Sequence, residues 1–264
     1  MGVSKAQIKQ VRSLQLKKFR DELGLFVAEG DKCVEELQKG FGLLSLYREG
    51  GNATHTEIAQ MSGLQTPQGT IGVFRKRPED TALPAGEGLV LALDGVQNPG
   101  NLGTIIRTCD WFGVHDIVCS RDTADCYNPK VVQATMGALV RVRVHYADLP
   151  AWLEELRIKN NESKIYGTLL DGKDMYEVLQ SEGRSGSKAV IQQSGHTAQR
   201  SVIIMGNEGN GISEEVRRYI TNPIRIPSYP EDAETSESLN VSIATAIVLA
   251  EMRRVDSRKL IVES

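Results

Sequence analysis

Short apolar runs alternate with longer amphipathic stretches from residue 89 onward. The apolar runs predict strands at 89–93, 116–119, 140–144, 164–168, 201–205 and 223–226. Apolar residues spaced three or four apart predict helices at 101–112, 129–137, 148–157, 174–180, 213–219 and 239–255. Strands that alternate with helices are typical of a parallel sheet covered by helices on both faces. The sequence therefore predicts an α/β domain from residue 89 to residue 264.

The first eighty residues predict a smaller α/β unit. Its helices are predicted at 4–22, 29–38 and 55–61, and its strands at 25–28, 43–47 and 69–74. The apolar side of the first helix consists of Ile8, Val11, Leu14 and Phe19. Pro, Gly and acidic residues without periodicity follow the last strand. We therefore place a linker at 81–88, between domains 1–80 and 89–264.

The charge is distributed unevenly along the chain. The 264 residues carry a formal net charge of −3, so there is no basic signature of the whole chain that would indicate nucleic-acid binding. The first twenty residues, however, contain no acid before Asp21. Their cations are Lys5, Lys9, Arg12, Lys17, Lys18 and Arg20. This basic segment predicts a surface that contacts RNA, although a solvated helix face explains the pattern equally well.

The cysteines and the apolar segments bear on location. Cys33, Cys109, Cys119 and Cys126 show no C-x-x-C pairing and no histidine at zinc spacing, so we expect reduced, buried thiols and no metal. No apolar stretch reaches the roughly 18 residues that a membrane helix needs. The N-terminus lacks the apolar core of a secretory signal. These features predict a cytoplasmic protein that is not bound to a membrane.

The first candidate motif follows the strand at 89–93. Asp94 and Gly95 form a turn, and a helix begins near Asn101, where free backbone N–H groups favour an anion. Asn101 and Arg107 lie six residues apart and need not share a helix face. Asn101 is alternatively a helix N-cap, and Arg107 is alternatively a partner in a surface ion pair. Arg107 is flanked by apolar residues, which favours a functional role for its charge.

Two further polar segments follow strands in the second half of the chain. Gly206-Asn-Glu-Gly-Asn-Gly211 has three glycines that allow a close approach of the backbone to a flat ligand, and its only carboxylate is Glu208. Ser238-Leu-Asn240 follows the acidic loop 228–237 and precedes an apolar helix, for which Ser238 is a suitable N-cap. A polar, Gly- and Ser-rich stretch at 182–200 predicts a mobile surface loop.

Together these three segments resemble the signature motifs of the SpoU-type RNA ribose 2′-O-methyltransferases of the SPOUT superfamily. The matching residues are Asn101-Leu-Gly-Thr-Ile-Ile-Arg107, Gly206-Asn-Glu-Gly209, and Ile226-Pro227 with Ser238-Leu-Asn240. The likeness spans about residues 89–255. Residues 17–30 are similar to the substrate-binding domain of the family, which resembles small ribosomal RNA-binding proteins. The loop at 228–237 is longer and more acidic than in the family, so its geometry and RNA selectivity are expected to differ.

The resemblance implies a deep trefoil knot near the C-terminus, a homodimer, and S-adenosylmethionine bound between the second and third motifs. The reaction implied is 2′-O-methylation of a ribose in structured RNA, with ribosomal RNA favoured over transfer RNA. The catalytic residues implied are Arg107, Asn101, Glu208, Ser238 and Asn240, with Arg107 acting as a base or stabilising charge. The cofactor contacts implied are Gly206, Ile226, Leu239, Thr168, Asn207 and Gly211. No metal is required.

Other functions are compatible with parts of the sequence. A non-catalytic RNA-binding or ribosome-assembly protein would explain the basic N-terminal segment, but not the three motifs. A transfer RNA ribose methyltransferase or a base-modifying SPOUT enzyme would share the cofactor site. A nucleotide-dependent oxidoreductase is disfavoured because the chain lacks a G-x-G-x-x-G phosphate loop early in a βαβ unit.

Overall fold

The computed structural model describes residues 2–78, 82–84, 88–159, 163–184, 201–230 and 238–262. Its contacts divide the chain into two compact units. The first unit comprises Met1–Asp80, Asn98–Arg107 and Ala124–Arg143. The second unit comprises Thr81–Gln97, Thr108–Thr123 and Val144–Ser264. The domain limits proposed from the sequence stay a prediction, and much of the linker at 81–88 lies outside the described residues.

The order of elements confirms the alternating pattern. The helices are α1 Lys5–Ser13, α2 Lys17–Leu23, α3 Asp31–Leu37, α4 His55–Met61, α5 Pro99–Trp111, α6 Pro129–Thr135, α7 Leu149–Lys159, α8 Met175–Arg184, α9 Glu214–Arg217 and α10 Val241–Val262. The strands are β1 Leu25–Glu29, β2 Leu43–Arg48, β3 Thr70–Arg75, β4 Leu89–Leu93, β5 Asp116–Ser120, β6 Arg143–Ala147, β7 Lys164–Asp174, β8 Ser201–Met205 and β9 Asn222–Arg225. Within the described residues, no helix combines the length and apolarity needed to span a membrane.

The first unit contains an antiparallel sheet in the order β1-β3-β2. Its helices α1 and α4 pack against one another, and their apolar side chains share one core with the sheet. That core includes Val11, Leu14, Val27, Ile58 and Ile71. Burial of such side chains from both helices and strands is what holds a unit of this size together.

The helix predicted at 4–22 is two helices, so that prediction was wrong. The first helix ends at Ser13, and Leu16 has an extended backbone before α2 begins. A helix end leaves carbonyl groups without intrahelical partners. The guanidinium of Arg20 donates to the carbonyls of Leu14 and Gln15 at 2.8 and 2.9 Å. The Arg20 side chain therefore stabilises the break between α1 and α2 by binding the carbonyl groups of that segment.

The second unit contains the predicted parallel sheet, in the order β6-β5-β4-β8-β7-β9. β4 pairs in parallel with β5 and β8, and β7 pairs in parallel with β8 and β9. The apolar core on the sheet includes Val90, Trp152, Ile165 and Ile204. The trefoil knot implied by the family resemblance stays a prediction, because residues 231–237 lie outside the described residues.

The strand predicted at 140–144 is shifted. Met136 and Gly137 both have positive φ and end α6, and residues Ala138–Val140 form a turn of 3₁₀ helix. The strand β6 consequently begins only at Arg143. The helix predicted at 213–219 is also shorter in the structure, where α9 covers only Glu214–Arg217. The polar stretch at 182–200 begins inside α8, and residues 185–200 lie outside the described residues.

Candidate active site

The carboxyl ends of β4, β8 and β9 lie at one edge of the parallel sheet, where the middle of β7 runs between β8 and β9. Leu93, the last residue of β4, is paired with Met205, the last residue of β8. Thr168 in β7 is paired with Ile224 in β9. The segments that follow these positions begin side by side, as is usual for ligand sites in open α/β sheets. Three of the predicted cofactor residues lie at this edge: Gly206 directly after β8, Thr168 in β7 and Ile226 directly after β9.

The loop at 206–211, here called the glycine loop, is closed by its own backbone. Asn207 and Gly211 exchange two N–H···O hydrogen bonds, each of 2.9 Å. The Oδ1 atom of Asn207 also accepts from the backbone N–H groups of Gly209 and Asn210, at 2.8 and 3.2 Å. A Cβ added to Gly206 would lie 2.3 Å from the carbonyl carbon of Gly211. Only glycine fits at residue 206 in this closed loop.

Two polar contacts attach the glycine loop and the segment directly after it to the turn after β4. The Nδ2 atom of Asn207 donates to the carbonyl of Gly95 at 2.6 Å. The carboxylate of Asp94, which is 9% exposed, accepts from the backbone N–H of Ser213 at 2.7 Å. Gly95 in turn donates its N–H to Ser120 Oγ at 2.8 Å. Sequence reasoning did not include Asp94 among the site residues; an acid placed directly after an apolar strand is the signal that could have identified it.

The predicted cofactor residues divide into two groups. Gly206, Asn207 and Gly211 lie together directly after β8, and Thr168 follows Gly167, the last residue of β7 that pairs with β8. Thr168 Oγ1 donates to the carbonyl of Ile204 at 3.3 Å and lies 3.7 Å from Met205 Sδ, which connects β7 to the end of β8. The other predicted contacts, Ile226 and Leu239, flank the residues 231–237 that the structure does not describe.

Helix α5 begins two residues earlier than predicted. Asn98 Oδ1 accepts from the N–H groups of Gly100 and Asn101, at 2.8 and 3.3 Å. Asn98 therefore caps the helix, and the interpretation of Asn101 as the N-cap was wrong. Ile105 and Ile106 are fully buried, whereas Arg107 is exposed on the opposite side of the helix. The guanidinium of Arg107 is thus accessible to a ligand, as a catalytic role requires.

The third motif forms the start of α10. Asn240 Oδ1 accepts from the backbone N–H and the hydroxyl of Ser242, at 3.0 and 2.6 Å. Asn240 is therefore the N-cap, and the interpretation of Ser238 in that role was wrong. Ser238 and Leu239 precede the cap and are exposed, as is Glu208 in the glycine loop. Asn101 and Arg107 belong to the first unit and the remaining predicted catalytic residues to the second, so their convergence in one site stays a prediction.

The cations predicted to bind RNA have two environments. Those on the surface of α1 and α2 are exposed, namely Lys5, Lys9, Arg12, Lys17 and Lys18. Arg20 is 1% exposed, and its guanidinium pairs with Asp125 at 2.7 Å. A buried, paired charge is held for structure and is not presented to a ligand. The structure therefore removes Arg20 from the predicted RNA surface and gives it a role in the fold.

The four cysteines are buried thiols outside any disulfide, as the sequence predicted. Desolvation raises the pKa of the Cys33 thiol to about 11, and burial raises that of Cys109 as well. Both thiols are therefore neutral at physiological pH, as expected for small apolar core residues.

Comparisons with known proteins indicate the family of this chain. The model of the SpoU rRNA methylase family matches residues 88–250, and the MRM3-like substrate binding domain matches residues 5–49. The chain is similar to the 23S rRNA (guanosine(2553)-2′-O)-methyltransferase RlmP of Bacillus subtilis (strain 168). The identity is 29% over 263 residues, covering 94% of this chain and 96% of that protein.

Two solved structures are similar over nearly the full length. A TrmH-family protein from Porphyromonas gingivalis has 35% identity and a TM-score of 0.78, with 96% of this chain and 98% of that chain covered. An AdoMet-bound rRNA methyltransferase from Sinorhizobium meliloti has 29% identity and a TM-score of 0.76, with 96% and 97% covered. The family model matches more than half of the residues of this chain. The chain therefore belongs to the SpoU rRNA methylase family.

Proposed function

We propose that this protein transfers a methyl group from S-adenosylmethionine to a ribose 2′-hydroxyl in ribosomal RNA. The main observation behind the proposal is the closed glycine loop at the carboxyl edge of the parallel sheet, within the segment matched by the family. The similarity to RlmP, which is a methyltransferase of 23S rRNA, supports ribosomal RNA as the substrate.

The residues at the sheet edge suit S-adenosylmethionine. The backbone of the glycine loop comes close to the end of β8 because Gly206 has no side chain, which leaves peptide groups accessible to an adenosine. Apolar contact would come from Ile226 and Leu239, and further polar contact from Thr168, Asn207 and Gly211. When bound, S-adenosylmethionine supplies a methyl group activated by a sulfonium charge.

The protein residues have to assist a poor nucleophile. A ribose hydroxyl must lose its proton, which solvent water at this exposed edge would accept, and negative charge develops on its oxygen until the methyl group bonds to it and the sulfonium becomes a neutral thioether. A guanidinium stays protonated in proteins, so we assign Arg107 to stabilising that charge and binding the adjacent phosphate. Asn101, Glu208, Ser238 and Asn240 would orient the ribose.

The exposed cations of α1 and α2 would hold the RNA. Lys5, Lys9, Arg12, Lys17 and Lys18 lie within or next to the segment that matches a substrate binding domain. Contacts between cations and phosphates contribute affinity without sequence selectivity and weaken with salt. Reversing the charge of Lys5 and Lys9 should therefore weaken RNA binding and reduce its salt dependence, while S-adenosylmethionine affinity stays unchanged.

The second unit has apolar surface suited to a second copy of the chain. Trp111 is 85% exposed and Ile243 is 52% exposed. Large exposed apolar side chains are typical of association surfaces. We propose a homodimer that buries them, and sedimentation equilibrium of the wild type against Ile243→Glu would test it: a dimer unaffected by the substitution contradicts this surface.

Methylation of purified RNA tests the function directly. The protein would be incubated with S-adenosylmethionine and ribosomal RNA from a strain that lacks its gene, and 2′-O-methylated positions would be mapped. One new 2′-O-methyl group in ribosomal RNA supports the proposal. A methyl group on a base, or on transfer RNA only, would contradict it. Failure to bind S-adenosylmethionine in a calorimetric titration would instead favour a non-catalytic RNA-binding protein.

A further inference from the structure

The first unit contains a pocket of about 230 Å³ that the catalytic scheme does not use. Its lining combines polar side chains with aliphatic ones. The lining residues are Gln15, Val27, Glu29, Gly63, Leu64, Pro99, Asn128, Pro129, Lys130 and Gln133. Pockets for drug-sized ligands typically measure roughly 300–1,000 Å³. This one is therefore suited to a smaller planar group, such as a single nucleobase.

Glu29 supplies a buried carboxylate to this pocket. The residue ends β1 and is only 3% exposed. Its two carboxylate oxygens each accept one hydrogen bond, from Ser62 Oγ at 2.5 Å and from the Gly63 N–H at 2.8 Å. A carboxylate has about four lone-pair sites, so each oxygen retains acceptor capacity after these two bonds. The two protein donors also fix the plane of the carboxylate.

Gln15 supplies a donor beside it. Its Nε2 atom is buried and has no hydrogen-bond partner among the residues that the structure describes. The amide packs directly on the backbone of Gly63, where a Cβ would lie 2.7 Å from Nε2. A buried amide donor without a partner costs free energy, which a ligand acceptor would recover after the Gln15 side chain rotates its amide toward the pocket.

We propose that this pocket binds a guanine base of the RNA substrate. The Watson–Crick edge of guanine presents, in order, the N2–H donor, the N1–H donor and the O6 acceptor. Glu29 offers two acceptors and Gln15 one donor, which match the two donors and one acceptor of guanine in number and type. Adenine and cytosine each present one donor group beside a ring-nitrogen acceptor, which would face the carboxylate oxygens unfavourably. Unstacked bases read on this edge are the usual basis of sequence selectivity in RNA recognition.

The remaining lining fits the same ligand. Val27, Leu64 and Pro99 offer apolar surface to the faces of a base. Lys130 is exposed and can contact an adjacent phosphate. Pro99 opens α5, and Arg107 lies eight residues further along that helix, about 12 Å on its axis. A short single-stranded segment can therefore place a base in the pocket and a ribose at Arg107. This placement rests on the function proposed above, whereas base binding itself does not.

Titration of the full-length protein with mononucleotides tests the pocket without any methylation step. GMP, AMP and CMP would be compared by saturation-transfer NMR and calorimetry at concentrations up to the millimolar range. We expect GMP to bind about tenfold or more tightly than AMP or CMP, the discrimination typical of one bidentate base contact. Glu29→Gln should remove this preference because an amide has one acceptor oxygen in place of two. Glu22→Gln, the same change at an exposed residue of α2, should keep it.

Several outcomes would overturn the proposal. Equal affinities for the three nucleotides, or no detectable GMP binding, would exclude a guanine pocket. Displacement of GMP by inorganic phosphate, without preference among bases, would indicate that Lys130 alone holds the ligand. If Glu29→Gln does not fold, Gln15→Ala decides, since it should weaken GMP binding several-fold. A parallel titration with S-adenosylmethionine keeps the two proposals separate, because GMP selectivity without cofactor binding would contradict only the methyltransferase function.

Discussion

Replacing Gly206 with alanine should open the glycine loop and weaken cofactor binding. The new Cβ would lie 2.3 Å from the carbonyl carbon and 2.6 Å from the carbonyl oxygen of Gly211, and 2.5 Å from the nitrogen of Ile212. These are backbone atoms, so no side-chain rotation can relieve the overlap. The loop must move as a whole, or the strand end must distort.

The contacts of the loop set the size of the effect. Opening it separates Asn207 from Gly211 and breaks two hydrogen bonds of 2.9 Å. Two such bonds contribute about 1–3 kcal/mol together. Retaining them and accepting the overlap costs about the same, 1–3 kcal/mol. Because the penalty falls on the conformation that binds the cofactor, the Kd for S-adenosylmethionine should rise by about 5- to 150-fold.

Isothermal titration with S-adenosylmethionine measures this effect, and Gly209 provides a matched control in the same loop. A Cβ at residue 209 would meet only Asn207 Oδ1, at 3.4 Å, and Gly209 does not have a positive φ. Gly209→Ala should therefore bind the cofactor like the wild type. Equal Kd values for wild type and Gly206→Ala, with both proteins folded by circular dichroism, would refute the assignment of the loop to the cofactor site.

Three further predictions follow from the described side chains. Arg107→Ala should lower the methylation rate by at least about 100-fold, as expected for loss of a group that stabilises charge, and leave S-adenosylmethionine affinity unchanged; near-normal turnover would exclude Arg107 from catalysis. Arg20→Ala should lower the free energy of unfolding by about 3–5 kcal/mol, because it leaves Asp125 without its buried partner. Urea titrations measure this loss. The control Lys18→Ala, at an exposed residue, should change the free energy of unfolding by less than about 0.5 kcal/mol. Cys33, whose thiol pKa is raised by burial to about 11, should stay protonated and resist iodoacetamide at pH 8 until the protein is unfolded; rapid labelling of the native protein, read by mass spectrometry, would argue against the buried position.

Elements defined by a local apolar pattern could be predicted closely from the sequence. The strands 89–93 and 201–205 and the helix 55–61 have the predicted limits. In each strand a continuous apolar run stops at Asp94 or Gly206, so neighbouring residues in the sequence are enough to predict where the strand ends. The helix 55–61 follows Thr54, whose side chain forms a capping box with Glu57. Local signals of this kind require no knowledge of the tertiary structure.

Features that depend on distant partners could not be predicted in this way. The sequence places Arg20 on the predicted RNA surface because it belongs to an N-terminal segment with six cations and no acid. Its burial depends on Asp125, which is 105 residues away in the sequence. Asp94 likewise acquires its role through Ser213, at a separation of 119 residues. Neither pairing can be detected from the periodicity or composition of the sequence. A single sequence could therefore identify the motifs, but not the tertiary contacts that hold Arg20 and Asp94 in position.

The polar loops of the second unit are built to keep their shape without a ligand. Asn207 uses one side-chain oxygen to hold the N–H groups of Gly209 and Asn210, and Asn240 does the same for Ser242. Asparagine favours turns because its amide can replace a backbone acceptor at such positions. Donors satisfied inside the loop do not need the cofactor to order them, and preorganisation lowers the entropy cost of binding. We therefore expect the amides of Gly209 and Asn210 to be protected from hydrogen exchange in the cofactor-free protein. Exchange as fast as that of an unstructured peptide would show that binding, and not the asparagine contacts, shapes the loop.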